Sequence, residues 1–164
     1  MGISATLSLF KVATLDELRA LGEGADSAIE DAMPSDYGPG DPGISLSLDK
    51  SWHGLHFLLI GHAYGGEPPL AWAVRGNSEY CVGDSGGYVS ASDAAAVASA
   101  LATLDEEAIL QRMHATGEQT RELYNAGDWS DPFVRGHYLS LFHELREFYA
   151  EAARRGTAVL CWVA

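Results

Sequence analysis

Leu48-Asp49-Lys50-Ser51-Trp52-His53-Gly54-Leu55-His56-Phe57-Leu58-Leu59 is the stretch around which this chain organises. Ile44, Leu46 and Leu48 alternate with small or polar residues and predict a strand running into it. Asp49 or Ser51 can then cap a helix through Leu55, Phe57, Leu58, Leu59 and Ile60, and Gly61 suits its left-handed C-terminal position. That helix is apolar nearly all round, the pattern of a central, buried element.

Working outward, Ile3, Ala5, Leu7 and Leu9 alternate in the same way and predict a first strand with one buried face. Thr14 and Glu17 form a capping box ahead of a short helix carrying Leu15, Leu18 and Leu21. From 22 to 43 the chain turns rich in Gly, Pro, Asp and Ser, and Tyr37-Gly38-Pro39-Gly40-Asp41-Pro42-Gly43 predicts a long exposed loop. Downstream, Leu70–Val74 is a short apolar segment of either type, and Tyr88–Val89 reads as a brief strand. Ser90 with Asp93 caps a helix whose inner side is Ala94, Val97, Leu101 and Leu104. Asp105 starts another, with Ile109, Leu110 and Met113 inward.

The clearest helix is the last. Pro132 after Asp131 suits a first-turn position, and Tyr138, Leu141, Leu145, Phe148, Tyr149 and Ala152 hold one face with Phe142 beside them. Glu151 pairs with Arg155 one turn on, and Gly156 ends the helix. Thr157–Val163 follows as an almost continuous apolar strand, the mark of burial on both faces. Strands at both ends with helices between predict a single compact α+β domain over 1–164, with a mixed β-sheet.

Composition narrows the partners. The 164 residues are 47% hydrophobic, enough for a sizeable core, and no stretch approaches the ~18 consecutive apolar residues of a membrane span. No targeting segment is visible, so the expected location is the cytoplasm. A net charge of −13 disfavours nucleic acid and anionic lipid. The expected partner is therefore a protein or a small molecule. From Glu23 to Asp49 every charged residue is acidic, either a solvated loop face or a docking patch for a basic partner or weak cation. Cys81 and Cys161 match no zinc motif, and no nucleotide-binding glycine fingerprint is present, so no cofactor is expected.

Two constellations carry possible chemistry. Gly83-Asp84-Ser85-Gly86-Gly87 is identical to the nucleophile segment of chymotrypsin-like proteases. The catalytic histidine context is missing, however, and each residue in the run is a turn former. The stronger group is Asp49, Lys50, Trp52, His53 and His56, which places an acid, a base, two imidazoles and a large aromatic within about two helical turns. His53 and His56, three apart, share a helix face. With Asp49, and His62 or Cys81, they could bind a metal, but the second short-spaced ligand pair of a structural zinc site is absent. Without metal, the same five residues suit a small-molecule pocket or acid–base catalysis. They equally suit helix entry and packing. His137 and His143 fall off the aromatic face of the last helix and are expected at the surface.

The segment Asp49–Leu59 resembles the signature of the YfbM-like family, small bacterial proteins of unknown function. Tyr138-Leu139 opening an aromatic-rich helix and Arg155-Gly156-Thr157-Ala158-Val159-Leu160 closing on a strand are similar to that family too. So are Pro69-Leu70 and the strand-to-helix step at Val89–Leu101, so the similarity spans nearly the whole chain. One departure is Gly86-Gly87-Tyr88-Val89-Ser90, which lacks the proline and arginine of the family's Gly-Pro-x-Arg-like turn. The resemblance implies a fold and no established reaction. Two functions follow as expectations: a binding or protein-interaction module, or a small hydrolase-like acid–base enzyme built on Asp49, Trp52, His53 and His56.

Overall fold

In a computed structural model, residues 2–32, 45–82, 86–114 and 118–163 are described. The first strand, β1 (Ala5–Phe10), leads through the capped helix α1 (Leu15–Ala20) to α2 (Gly24–Ala32) and then β2 (Ser45–Asp49). Next come α3 (Trp52–Ile60), the single turn α4 (Trp72–Arg75), and strands β3 (Asn77–Val82) and β4 (Gly86–Val89). Helices α5 (Ala91–Thr103) and α6 (Glu106–His114), a 3-10 turn at Glu118–Glu122, the long α7 (Pro132–Arg155) and β5 (Ala158–Val163) complete the order.

These strands form one sheet, β2-β1-β5-β4-β3, so the first and last strands lie side by side at its centre. Ala5 faces Val163 and Phe10 faces Ala158 across an uninterrupted antiparallel register. Side-chain alternation sorts the core into two layers. Leu7, Leu9, Val89, Val159 and Cys161 face the layer built from α3, α5, α6 and α7. Phe10, Tyr88, Ala158 and Leu160 face the smaller layer, where Leu18 of α1 and Ala25 and Ile29 of α2 cover them. The Tyr88 hydroxyl donates to the Val12 carbonyl at 2.8 Å, tying this second layer to the sheet. The α+β architecture and the doubly buried last strand agree with the sequence reading.

Several local expectations hold to the atom. Thr14 and Glu17 complete the capping box, Ser90 accepts from the Asp93 amide, and Asp131 accepts from the Phe133 amide beside Pro132. Gly61 and Gly156 take the left-handed positions, with φ of 80° and 64°.

Three expectations are corrected. The sheet is antiparallel in every described pairing rather than mixed. The helices between β4 and β5 return the chain to the end it left, so that Val89 pairs with Val159 and β5 runs back along β4. The loop expected over 22–43 begins as helix α2, because Ala25, Ala28 and Ile29 recur at i, i+3 and i+4 and give the segment one apolar edge against the sheet. Residues 33–43, including the Gly/Pro run, lie outside the described residues, as does the adjoining part of the acidic stretch. Third, Ser51 stands at the start of α3 without capping it. Its backbone is already helical (φ −83°, ψ −4°), whereas a capping side chain needs an extended residue to reach the first-turn amides. Asp49 sits at φ +42° and accepts instead from the Ser4 hydroxyl at 3.0 Å.

Candidate functional site

Helix α3 is buried from Trp52 to Leu59, and the burial decides what its histidines can do. His53 is 2% exposed, with its ring stacked on Trp52 at 4.8 Å and 11°. Its Nδ1 accepts the Tyr124 backbone amide at 2.9 Å. An amide only donates, so the proton sits on Nε2, which donates to the Ala63 carbonyl at 2.7 Å. Both nitrogens are occupied, leaving His53 no lone pair for a metal. One turn on, His56 is equally buried, and its Nε2 donates to the Gly65 carbonyl at 3.1 Å. Among the described residues, no hydrogen-bond partner meets the buried Nδ1 of His56. Burial, opposed by the Gly65 bond and helped by the nearby Arg75 charge, pulls the His56 pKa down to about 4. Both imidazoles thus hold the turn after α3 back against the helix, where Tyr64 leans on His53 at 5.0 Å.

The other predicted members split by exposure. Trp52 is buried; its Nε1 donates to the Ile3 carbonyl at 3.3 Å, and the Arg75 guanidinium lies 5.8 Å above its ring. Asp49 and Lys50 are exposed, with the Lys50 stem lying over Gly2. The five residues are therefore neighbours along the chain from the end of β2 into α3, yet they do not converge on a common open space. His137 and His143 are exposed as expected; the first meets Ser51 Oγ and the second Glu106, each at 2.9 Å. Ser85 lies outside the described residues. Gly87 of the same motif has a packing reason: a Cβ there would overlap the Arg75 carbonyl oxygen.

At the other end of α3 stands a residue the sequence reading did not single out. Arg112, from α6, sends both hydrogens of Nη1 to the last carbonyls of the helix, Leu58 at 2.6 Å and Leu59 at 2.5 Å. A cation at a helix C-terminus is favoured by the dipole as well as by these bonds. Burial nevertheless pulls the Arg112 pKa below its ordinary value. Arg112 also lines a cavity of about 400 Å3, with Leu59, Ile60, His62, Glu67 and Leu70 around it. None of the five predicted site residues lines this cavity. No local pattern could have found it, since Arg112 is separated from Leu58 by 54 positions and from Leu59 by 53.

The family described as "Domain of unknown function (DUF1877)" matches residues 1–162. No curated protein matches the chain. Among solved structures, the chain is similar to the crystal structure of YfbM from Escherichia coli, itself a protein of unknown function. The TM-score is 0.66 at 19% identity, over 98% of this chain and 99% of that one.

Proposed function

This chain belongs to the DUF1877 family, and from that premise we propose that it is a binding module rather than an acid–base enzyme. The observation that supports this is the state of the two imidazoles. Each is 2% exposed and donates Nε2–H to a backbone carbonyl, so neither offers a substrate the accessible nitrogen that proton transfer needs. Under this reading Trp52, His53 and His56 form a frame, and Asp49 and Lys50 supply charge at its surface. The partner is a small molecule or a protein, met in the cytoplasm. An acidic surface bears the same sign as nucleic acid and anionic lipid, which supports leaving both aside.

The test compares His53→Gln and His56→Gln with the unaltered chain, in urea unfolding and in a panel of ester, phosphoester and amide hydrolysis assays. The expected result is lost stability and no hydrolysis by any of the three proteins. Hydrolysis by the unaltered chain that disappears in His56→Gln, with the urea midpoint unchanged, would establish the enzyme instead.

A further inference from the structure

We propose that the cavity between the C-terminal end of α3 and α6 binds a free α-amino acid with an aliphatic side chain. The inference rests on the binding-module reading and begins with how Arg112 is used. Its Nη1 hydrogens are both spent on Leu58 and Leu59. That leaves Nε–H and the Nη2 hydrogens, the edge of a guanidinium whose two parallel donors match a carboxylate. Among the described residues, no acceptor meets that edge and no carboxylate pairs with Arg112. Gly61 stands beside this edge, and a Cβ added there would come to 3.9 Å from Nε, so the glycine leaves space that a side chain would take up.

The rest of the wall gives the ligand its class. Glu67 lines the same cavity as Arg112 without forming an ion pair with it, so the two opposite charges are held apart on one space. A ligand with a carboxylate and an ammonium a few ångströms apart satisfies both at once. A simple anion would satisfy Arg112 and face Glu67 unfavourably. Leu59, Ile60 and Leu70 supply the apolar wall for a side chain. About 400 Å3 falls within the roughly 300–1,000 Å3 of small-molecule sites.

The test is calorimetric titration of the full chain at neutral pH with L-leucine. Two analogues each lack one charge: 4-methylpentanoate has no ammonium, and 3-methylbutylamine has no carboxylate. Leucine is expected to bind, and each analogue at least about tenfold more weakly. Arg112→Lys keeps the charge and loses the fork, and should weaken leucine and 4-methylpentanoate alike. Glu67→Gln, at an exposed position, should weaken leucine and, by removing a repelling carboxylate, strengthen 4-methylpentanoate. Circular dichroism checks that both variants fold, and if Arg112→Lys does not, Glu67→Gln still decides.

Three outcomes overturn the proposal: no heat from leucine or any other standard amino acid up to about 10 mM, 4-methylpentanoate binding as tightly as leucine, or leucine affinity unmoved by Glu67→Gln. The first removes this site and leaves the binding-module reading standing. Conversion of bound leucine to a new species, seen by NMR, would uphold the site and overturn the module.

Discussion

The backbone amide of Tyr124 donates to Nδ1 of His53, joining the stretch before α7 to a buried ring on α3 at 2.9 Å. With the Ala63 carbonyl on the opposite nitrogen, His53 bridges the loop after α3 and the stretch before α7.

Replacing His53 by Ala should therefore act as a fold mutation. It leaves the Tyr124 amide and the Ala63 carbonyl without partners, each costing about 1–3 kcal/mol, and opens a void beside Trp52. Urea unfolding should show a loss of roughly 3–5 kcal/mol. A midpoint within error of the parent would mean the ring is not structural.

His56 sets an acid limit on stability. Its folded pKa, about 4, lies below the ordinary imidazole value of 6.5, so the native state binds the proton less readily than the unfolded chain. The stabilisation is complete above about pH 6.5, declines as pH falls towards 4, and changes no further below that. A shift of this size corresponds to about 3 kcal/mol. NMR titration of the ring, with urea midpoints at pH 7 and pH 4, checks both ends; His56→Gln should flatten part of the decline.

Gly54 and Tyr138 form a coupled pair. A Cβ at Gly54 would overlap the Tyr138 hydroxyl and lie 2.7 Å from Cζ. Gly54→Ala should destabilise by about 1–3 kcal/mol despite Ala's better helix propensity. The Tyr138 hydroxyl faces Ser51 and Trp129 Nε1 without reaching hydrogen-bond geometry with either. Tyr138→Phe should therefore be nearly neutral alone. In the double variant it should recover part of the Gly54→Ala loss. Strict additivity of the two changes would refute the clash.

Gly87→Ala should prevent folding, because the overlap is with the Arg75 backbone rather than with a movable side chain. Gly22→Ala is the control: nothing lies within 4 Å of its added Cβ, and only the φ of +54° is strained, for about 1 kcal/mol. Soluble yield and circular dichroism compare them; a well-folded Gly87→Ala protein would show that β4 can withdraw from α4.

Where local chemistry and tertiary packing ask for the same residue, the fold is legible in the sequence. The last helix shows this, since Asp131, Pro132, the Tyr138–Tyr149 stripe and Gly156 each declare a position on it. Strand β3 declares nothing. As an edge strand it pairs with β4 alone, its register shifts between Asn77 and Cys81, and Asn77-Ser78-Glu79-Tyr80 has no two-residue hydrophobic period. Helix α2 hides for a different reason, because its apolar edge is written in Ala25, Ala28 and one isoleucine. At the candidate site, sequence could place His53 and His56 on one buried helix. It could not show that Ala63, Gly65 and Tyr124 would occupy their nitrogens, since a backbone group carries no residue-specific signal. Arg112 is hidden for the same reason, as its partners are two main-chain carbonyls.

The pairing of β1 with β5 also dictates when this protein can come into being. Its central ladder joins residues 5–10 to residues 158–163, so the sheet cannot close until the ribosome has released the second set. Synthesis of the intervening chain takes on the order of ten seconds. Throughout that interval Leu7 and Leu9 have no strand on the β5 side. Local helices such as α5 and α7 can form early, but the sheet must wait for a contact of high sequence separation, the slow class of folding event. A nascent chain arrested with β5 still inside the exit tunnel should remain protease-sensitive, and enough further linker to bring β5 out of the tunnel should make it resistant within one cooperative step.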